Sequence, residues 1–214
     1  VRTRIKICGC TGIDDVAVAV DAGADAVGVL LVPDSPRAVG IERLHEIAAY
    51  VPALISLVAV FVDPPSSLVD EALKVGAIPQ FHGHEPADLC EAFAAGPYLK
   101  AYHVGGQHAT SIAFDTFARP FAHATWLFDT AGPRGNSGGT GEPFAWEIVR
   151  RLAGERRVVV AGGLNPDNVG ACVRTVQPFA VDVRTGVETA GKKDARKVRA
   201  FVEAVRDAEK TSPV

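Results

Sequence analysis

The sequence predicts an α/β protein built as a single (β/α)8 barrel of the TIM type, and three observations carry that expectation. Short apolar runs alternate with amphipathic stretches from end to end, and no linker, low-complexity block or shift in composition interrupts them. Eight such runs fit in 214 residues, close to the minimal length for this barrel. A doubly wound open sheet is the alternative assembly of the same units.

The strands are expected at 4–9, 26–31, 56–62, 78–82, 98–104, 125–129, 157–162 and 179–185. Helices are expected near 13–22, 41–51, 65–76, 86–95, 143–153, 165–175 and 194–208, with the weakest helical pattern near 110–120. Asn165-Pro166 places a cap residue before a proline at a first helical position, and Gly23 and Gly76 follow helical stretches as stops.

Strand parity distinguishes the two assemblies. In the first strand Ile5 and Ile7 share one face while Lys6 and Cys8 share the other; in the sixth, Trp126 and Phe128 oppose Thr125, Leu127 and Asp129. The eighth sets Asp182 and Arg184 against Val181 and Val183. An apolar face beside a partly polar one suits a barrel whose outside packs on helices and whose inside turns polar toward one end. Barrel closure would bring Lys6 against Asp182 and satisfy two charges that are costly to bury alone.

Composition narrows the function. With 48% hydrophobic and 22% charged residues the chain suits one compact domain, taken as 1–214. No apolar run reaches the roughly 18 residues of a membrane span, and no leader pattern opens the sequence, so no membrane partner and a cytoplasmic location are expected. A net charge of −3 with interspersed signs offers no basic stripe for nucleic acid. Cys8, Cys10, Cys90 and Cys172 are scattered without a matching Cys or His pair, which fits reduced thiols and no metal site.

Two strand ends carry chemistry. Cys8 closes the first strand: it reads either as a small buried hydrophobe or, beside the Lys6 ammonium, as a thiolate base. Asp129 closes the sixth: it reads either as a turn residue before Thr130 or as a partly desolvated carboxyl, its pKa raised, available as a general acid. In a parallel barrel both ends lie on the same face.

The loops beyond them suggest an anion. Gly135 to Gly141, which includes Gly139, lacks the ending of a nucleotide P-loop. The loops holding Gly163 and Gly186 follow the seventh and eighth strands, where barrels often bind phosphate. Arg37, after the second strand, reads as a solvated charge or a fork for a carboxylate; His82, after the fourth, as a core histidine or a ligand contact. A metal-dependent epimerase would need His and Asp ligands converging at strand ends, which these runs are not expected to supply.

In order and spacing, Lys6-Ile-Cys-Gly9, Ala22-Gly-Ala-Asp-Ala26, Ser35-Pro-Arg37, Val60-Phe-Val62, His82-Gly83, Asp129, Gly138-Gly-Thr-Gly141, Ala161-Gly-Gly-Leu-Asn-Pro166, Val181-Asp-Val183 and Gly186-Val-Glu188 resemble phosphoribosylanthranilate isomerases over essentially the whole chain. The resemblance implies a cofactor-free and metal-free isomerase of tryptophan biosynthesis, acting on a phosphorylated aminosugar as a monomer or homodimer. It implies Cys8 as general base and Asp129 as general acid. It further implies Arg37 on the anthranilate carboxylate, phosphate on the backbone donors of Gly139, Gly163 and Gly186, and His82 and Asp182 among the substrate contacts. Three positions depart from the family pattern: Arg184-Thr185 before the last glycine, His84 after His82-Gly83, and His103 where the fifth strand often ends in arginine. For Arg184 the reading favours structural support, through Asp182 or Glu188, over a phosphate contact.

Overall fold

The computed structural model describes residues 2–93, 96–104, 111–129, 146–147, 149–151 and 156–211. Eight parallel strands close into a barrel in sequence order: β1 Arg4–Cys8, β2 Ala26–Leu30, β3 Ser56–Phe61, β4 Ile78–Phe81, β5 Tyr98–His103, β6 Ala124–Asp129, β7 Val158–Ala161 and β8 Ala180–Val183. The closing ladder pairs Arg4 with Ala180 and Lys6 with Asp182, which rules out the open sheet.

The strands alternate as their parity requires. Outward side chains such as Ile5, Ile7, Val27, Val29, Phe61, Phe81, Trp126 and Phe128 are buried against the helices in one continuous core. Inward side chains Ala101, Leu127, Val159, Ala161 and Ala180 fill the barrel itself, and they are small because eight strands leave little interior room. Behind β5 and β6 an aromatic cluster of Tyr102, Phe114, Phe117, Phe121, Trp126 and Phe128 packs largely edge to face.

Helices Ile13–Asp21, Ile41–Tyr50, Ser66–Lys74, Ala87–Ala92, Ser111–Ala118, Val169–Val176 and Ala195–Thr211 surround the barrel, and residues 146, 147 and 149–151 are also helical. The weakest expected helix, near 110–120, is therefore present. Gly23 and Gly76 end their helical segments at φ +93° and +76°, as expected of stop residues.

Most boundaries shift by one to three residues, and two of the shifts have a visible local cause. The helix expected from 165 begins at Val169, because Asn165 folds a turn of its own. Its Oδ1 accepts from the backbone N–H groups of Asp167 and Asn168, at 2.8 and 3.2 Å, while Asn168 Oδ1 accepts from Asn165 N–H at 2.8 Å. The eighth strand stops at Val183, two residues early, because Thr185–Val187 winds into a 3₁₀ turn. A two-residue hairpin, Glu188–Thr189 with Lys192–Lys193, follows that turn.

Candidate active site

Cys8 stands at the carboxyl end of β1, nearly buried, opposite Gly28 of β2. Any side chain at position 28 would crowd the inside: a Cβ there would lie 2.9 Å from the Cys8 Sγ and 3.0 Å from the Lys6 Cε. Glycine is what lets Lys6 and Cys8 share that space. Lys6 Nζ donates to Asp182 Oδ1 at 3.0 Å, the pair anticipated from barrel closure. Burial opposes the Lys6 charge, but the Asp182 carboxylate, helped by Cys8, outweighs it and holds the ammonium above its usual pKa. Cys8 behaves in the opposite sense. Burial pushes its thiol up, and the neighbouring Lys6 only partly offsets this. Lys6 thus acts toward the thiolate, as expected from the sequence, and burial acts against it.

Asp129 closes β6 and faces a histidine pair. His82 Nε2 lies 3.1 Å from Asp129 Oδ2, and His82 Nδ1 lies 3.2 Å from Gln80 Nε2. With the amide donating to Nδ1, the ring proton on Nε2 points into the carboxylate. His103 is the register partner of Asp129 on β5, and its ring meets that of His82 edge-on at 5.1 Å. The ligand atoms of His82, His103 and Asp129 lie within 4.8 Å of one another. The expectation that no His and Asp ligands converge at strand ends is thus overturned. The β5–β6 register brings the two side chains together, and parity alone places 103 and 129 inward without fixing that register.

Arg37 reaches back over Gly9 from the loop after β2: its Cδ lies 3.3 Å from where a Cβ on Gly9 would stand. Its Nε donates to both carboxylate oxygens of Glu188, at 3.0 and 3.1 Å, and Nη2 to Oε2 at 2.5 Å. The buried Lys193 donates to Glu188 Oε1 at 2.8 Å and to the Arg184 carbonyl at 3.2 Å. Burial alone would raise the Glu188 pKa, but Arg37 and Lys193 together hold it below the usual carboxylate value. Sequence reasoning missed Lys193, which reaches the mouth only because the hairpin after β8 folds back on it.

The acidic partners expected for Arg184 are already engaged, Asp182 by Lys6 and Glu188 by Arg37 and Lys193. Arg184 instead lays its side-chain carbons over Gly9, 3.1 Å from a Cβ built there, and its guanidinium forms no ion pair among the described residues. The structural-support reading of Arg184 is corrected accordingly.

At the far side of the mouth the loops after β7 and β8 touch. A Cβ on Gly186 would be driven into the Leu164 carbonyl oxygen, so only glycine permits this approach. Asn168 Nδ2 donates to the Gly163 carbonyl at 2.9 Å and braces the same loop. Gly139 lies outside the described residues. Asp182 sits below the mouth in its pair with Lys6.

A further buried ion pair shapes the rim from outside the barrel. Lys100 Nζ donates to Glu85 Oε2 at 2.6 Å and to the Gly83 carbonyl at 2.8 Å, while Glu85 Oε1 accepts from the N–H groups of Asp63 and Gly83, both at 3.0 Å. It ties the loops after β3 and β4, and with them His82, to β5.

The family model described as N-(5'-phosphoribosyl)anthranilate (PRA) isomerase matches residues 5–204. A curated relative of that name from Pseudomonas aeruginosa (strain LESB58) is 46% identical over 208 residues, covering 95% of each chain. The chain belongs to the phosphoribosylanthranilate isomerase family. As a member of this isomerase family it also superposes on solved relatives. The phosphoribosyl anthranilate isomerase of Thermotoga maritima matches at TM-score 0.83 and 33% identity, covering 96% of this chain and 99% of that one. A phosphoribosyl anthranilate isomerase in complex with reduced 1-(o-carboxyphenylamino)-1-deoxyribulose 5-phosphate matches at TM-score 0.78 and 31% identity, with the same coverage.

Proposed function

We propose that this chain rearranges N-(5-phosphoribosyl)anthranilate to 1-(2-carboxyphenylamino)-1-deoxyribulose 5-phosphate, an intramolecular aldose-to-ketose conversion in the tryptophan pathway of the cytoplasm. The observation that carries the reading is the placement of a buried thiol and a histidine-backed carboxyl at the ends of β1 and β6, on one face of the barrel, within a full-length family match.

Asp129, acting in its protonated form, gives its proton to the furanose ring oxygen. The C1′–O bond breaks as the anilino nitrogen pushes its lone pair into a C1′=N⁺ iminium. Cys8, as a thiolate whose own proton has gone to solvent, then takes the proton from C2′, and the released pair forms the C1′=C2′ enolamine while neutralising the nitrogen. Proton transfer from the C2′ hydroxyl to C1′ completes the amino-ketose. The iminium is the electron sink, so general acid–base groups suffice for the chemistry.

The raised thiol pKa fits this order of events. A buried thiol is a poor base until a cation arrives, and the iminium is that cation, formed only after ring opening. Arg37 presents its remaining guanidinium edge to the anthranilate carboxylate, Glu188 and Lys193 hold Arg37 in place, and Asp182 positions Lys6 beside Cys8. The phosphate is assigned to the backbone donors around Gly163 and Gly186, with Gly139 completing the set, where binding orients the sugar at a distance from the reacting carbons.

The test is the loss of phosphoribosylanthranilate fluorescence with purified protein. Turnover well above the uncatalysed rate is expected; fluorescence decaying only at the uncatalysed rate would overturn the assignment.

A further inference from the structure

We infer that the acid side of the mouth is also a site for a divalent transition-metal ion, held by His82, His103 and the Asp129 carboxylate, and that the ion switches the isomerase off. Two imidazoles and one carboxylate form a nitrogen-and-oxygen donor set suited to Zn²⁺, Co²⁺ and their neighbours in that series. Their ligand atoms already lie within 4.8 Å of one another. Around a tetrahedral ion with bonds of about 2.0–2.2 Å, neighbouring ligand atoms are separated by about 3.3 Å. His82 Nε2 and Asp129 Oδ2 stand at 3.1 Å, so that pair needs almost no adjustment. Only His103 must close in. It is exposed, and its Nε2 lies 3.3 Å from the His82 carbonyl oxygen.

Gln80 supplies the independent observation. It is 1% exposed, and its Oε1 is buried without a hydrogen-bond partner while Nε2 faces His82 Nδ1. A histidine that binds a metal through Nε2 carries its proton on Nδ1 and needs an acceptor there. Turning the Gln80 amide over presents Oε1 to Nδ1–H and leaves the number of hydrogen bonds unchanged, since Oε1 makes none in its present orientation. The same amide thus serves two states: as donor to a histidine whose Nε2–H points at Asp129, or as acceptor for a histidine whose Nε2 lone pair points at an ion.

The consequence for activity rests on the acid role proposed for Asp129. A carboxylate bound to a metal carries no proton, so the loaded enzyme cannot open the ring. The open side of the three ligands leaves coordination positions for water, which makes the ion removable by a chelator.

The experiment uses the full chain stripped with EDTA and titrated with CoCl2, followed by the visible absorption of Co²⁺ in low-symmetry coordination, and in parallel with ZnCl2, followed by turnover. One Co²⁺ per chain is expected, with turnover falling in proportion to Zn²⁺ bound and returning on addition of EDTA. His103→Ala is expected to weaken Co²⁺ binding by at least about 100-fold, beyond the range for loss of an outer-shell partner. Its chelated form should keep wild-type turnover and resist Zn²⁺. Gln80→Leu should weaken Co²⁺ binding by about 10–100-fold. Unchanged Co²⁺ binding in His103→Ala, or binding lost instead in Cys8→Ser, would overturn the site. Stoichiometric Zn²⁺ with undiminished turnover would overturn its inhibitory role. An enzyme inactive even when chelated would count against the isomerase assignment, while the absorption titration would still decide the metal site.

Discussion

The two halves of the barrel mouth are built in contrasting ways. On the β1–β8 side the groups are dry and ionic: Lys6 with Asp182, and Arg37 and Lys193 with Glu188, with Cys8 buried between them. On the β4–β6 side they are joined by hydrogen bonds and partly open: Gln80, His82 and Asp129 form a hydrogen-bonded chain, His82 and Asp129 keep 23% and 14% of their side chains exposed, and His103 is at the surface. Paired buried charges hold their protonation states. Under the proposed mechanism the β1–β8 side would hold the base and the β4–β6 side the acid.

The largest effect should come from removing the proposed base. Cys8→Ser is expected to lower turnover by about 10²–10⁴-fold, the range for a positioned acid–base group, with the circular dichroism spectrum unchanged. The wild-type pH profile sharpens the same point. Because the thiol pKa is raised, its ionised fraction is small at neutral pH and grows as pH rises, so kcat/KM should still be climbing above about pH 8.5, the ordinary cysteine value. A plateau beginning near pH 7 would mean that the thiol is not the group being titrated.

Asp129→Asn breaks the other half and should cost about 10²-fold or more in turnover, because the amide keeps the shape and loses the proton. Affinity for a product analogue should stay within a few-fold. Lost affinity with preserved turnover would reduce Asp129 to a binding group.

Arg37→Ala falls between chemistry and binding. The Michaelis constant should rise about 10- to 100-fold, corresponding to about 1.5–3 kcal/mol for a hydrogen bond to a charged group, with a smaller change in turnover. An unchanged Michaelis constant would confine Arg37 to its pair with Glu188.

The smallest of the four effects is expected from Arg184→Ser. With Asp182 and Glu188 otherwise engaged, thermal stability should change little, by about 0.5 kcal/mol or less. Affinity for a phosphate-bearing product analogue should drop several-fold, more at low salt than at high salt. A clear loss of stability with intact affinity would restore the supporting role read from the sequence.

Much of this was legible in the sequence because a barrel strand repeats every two residues. Parity placed Lys6, Cys8, Asp129 and Asp182 on the inner face, and closure predicted the Lys6–Asp182 contact that the register shows. What parity leaves open is which strand ends stand level with one another. His103 faces Asp129 only through the β5–β6 register, so the histidine pair was invisible until the ladder was known. Lys193 was hidden for a different reason: it comes from a hairpin beyond the last strand, where no strand pattern points into the mouth. The helix start at Val169 moved because side-chain hydrogen bonds from Asn165 and Asn168 outweighed the Asn-Pro signal.

Gly186 against Leu164 has a mechanical consequence. With no side chain between them, the 3₁₀ turn after β8 lies directly on the backbone of the loop after β7, and neither can close further without pushing the other. The two loops act as one jaw. Exchanging either loop for that of another barrel should therefore succeed only if both are transplanted together.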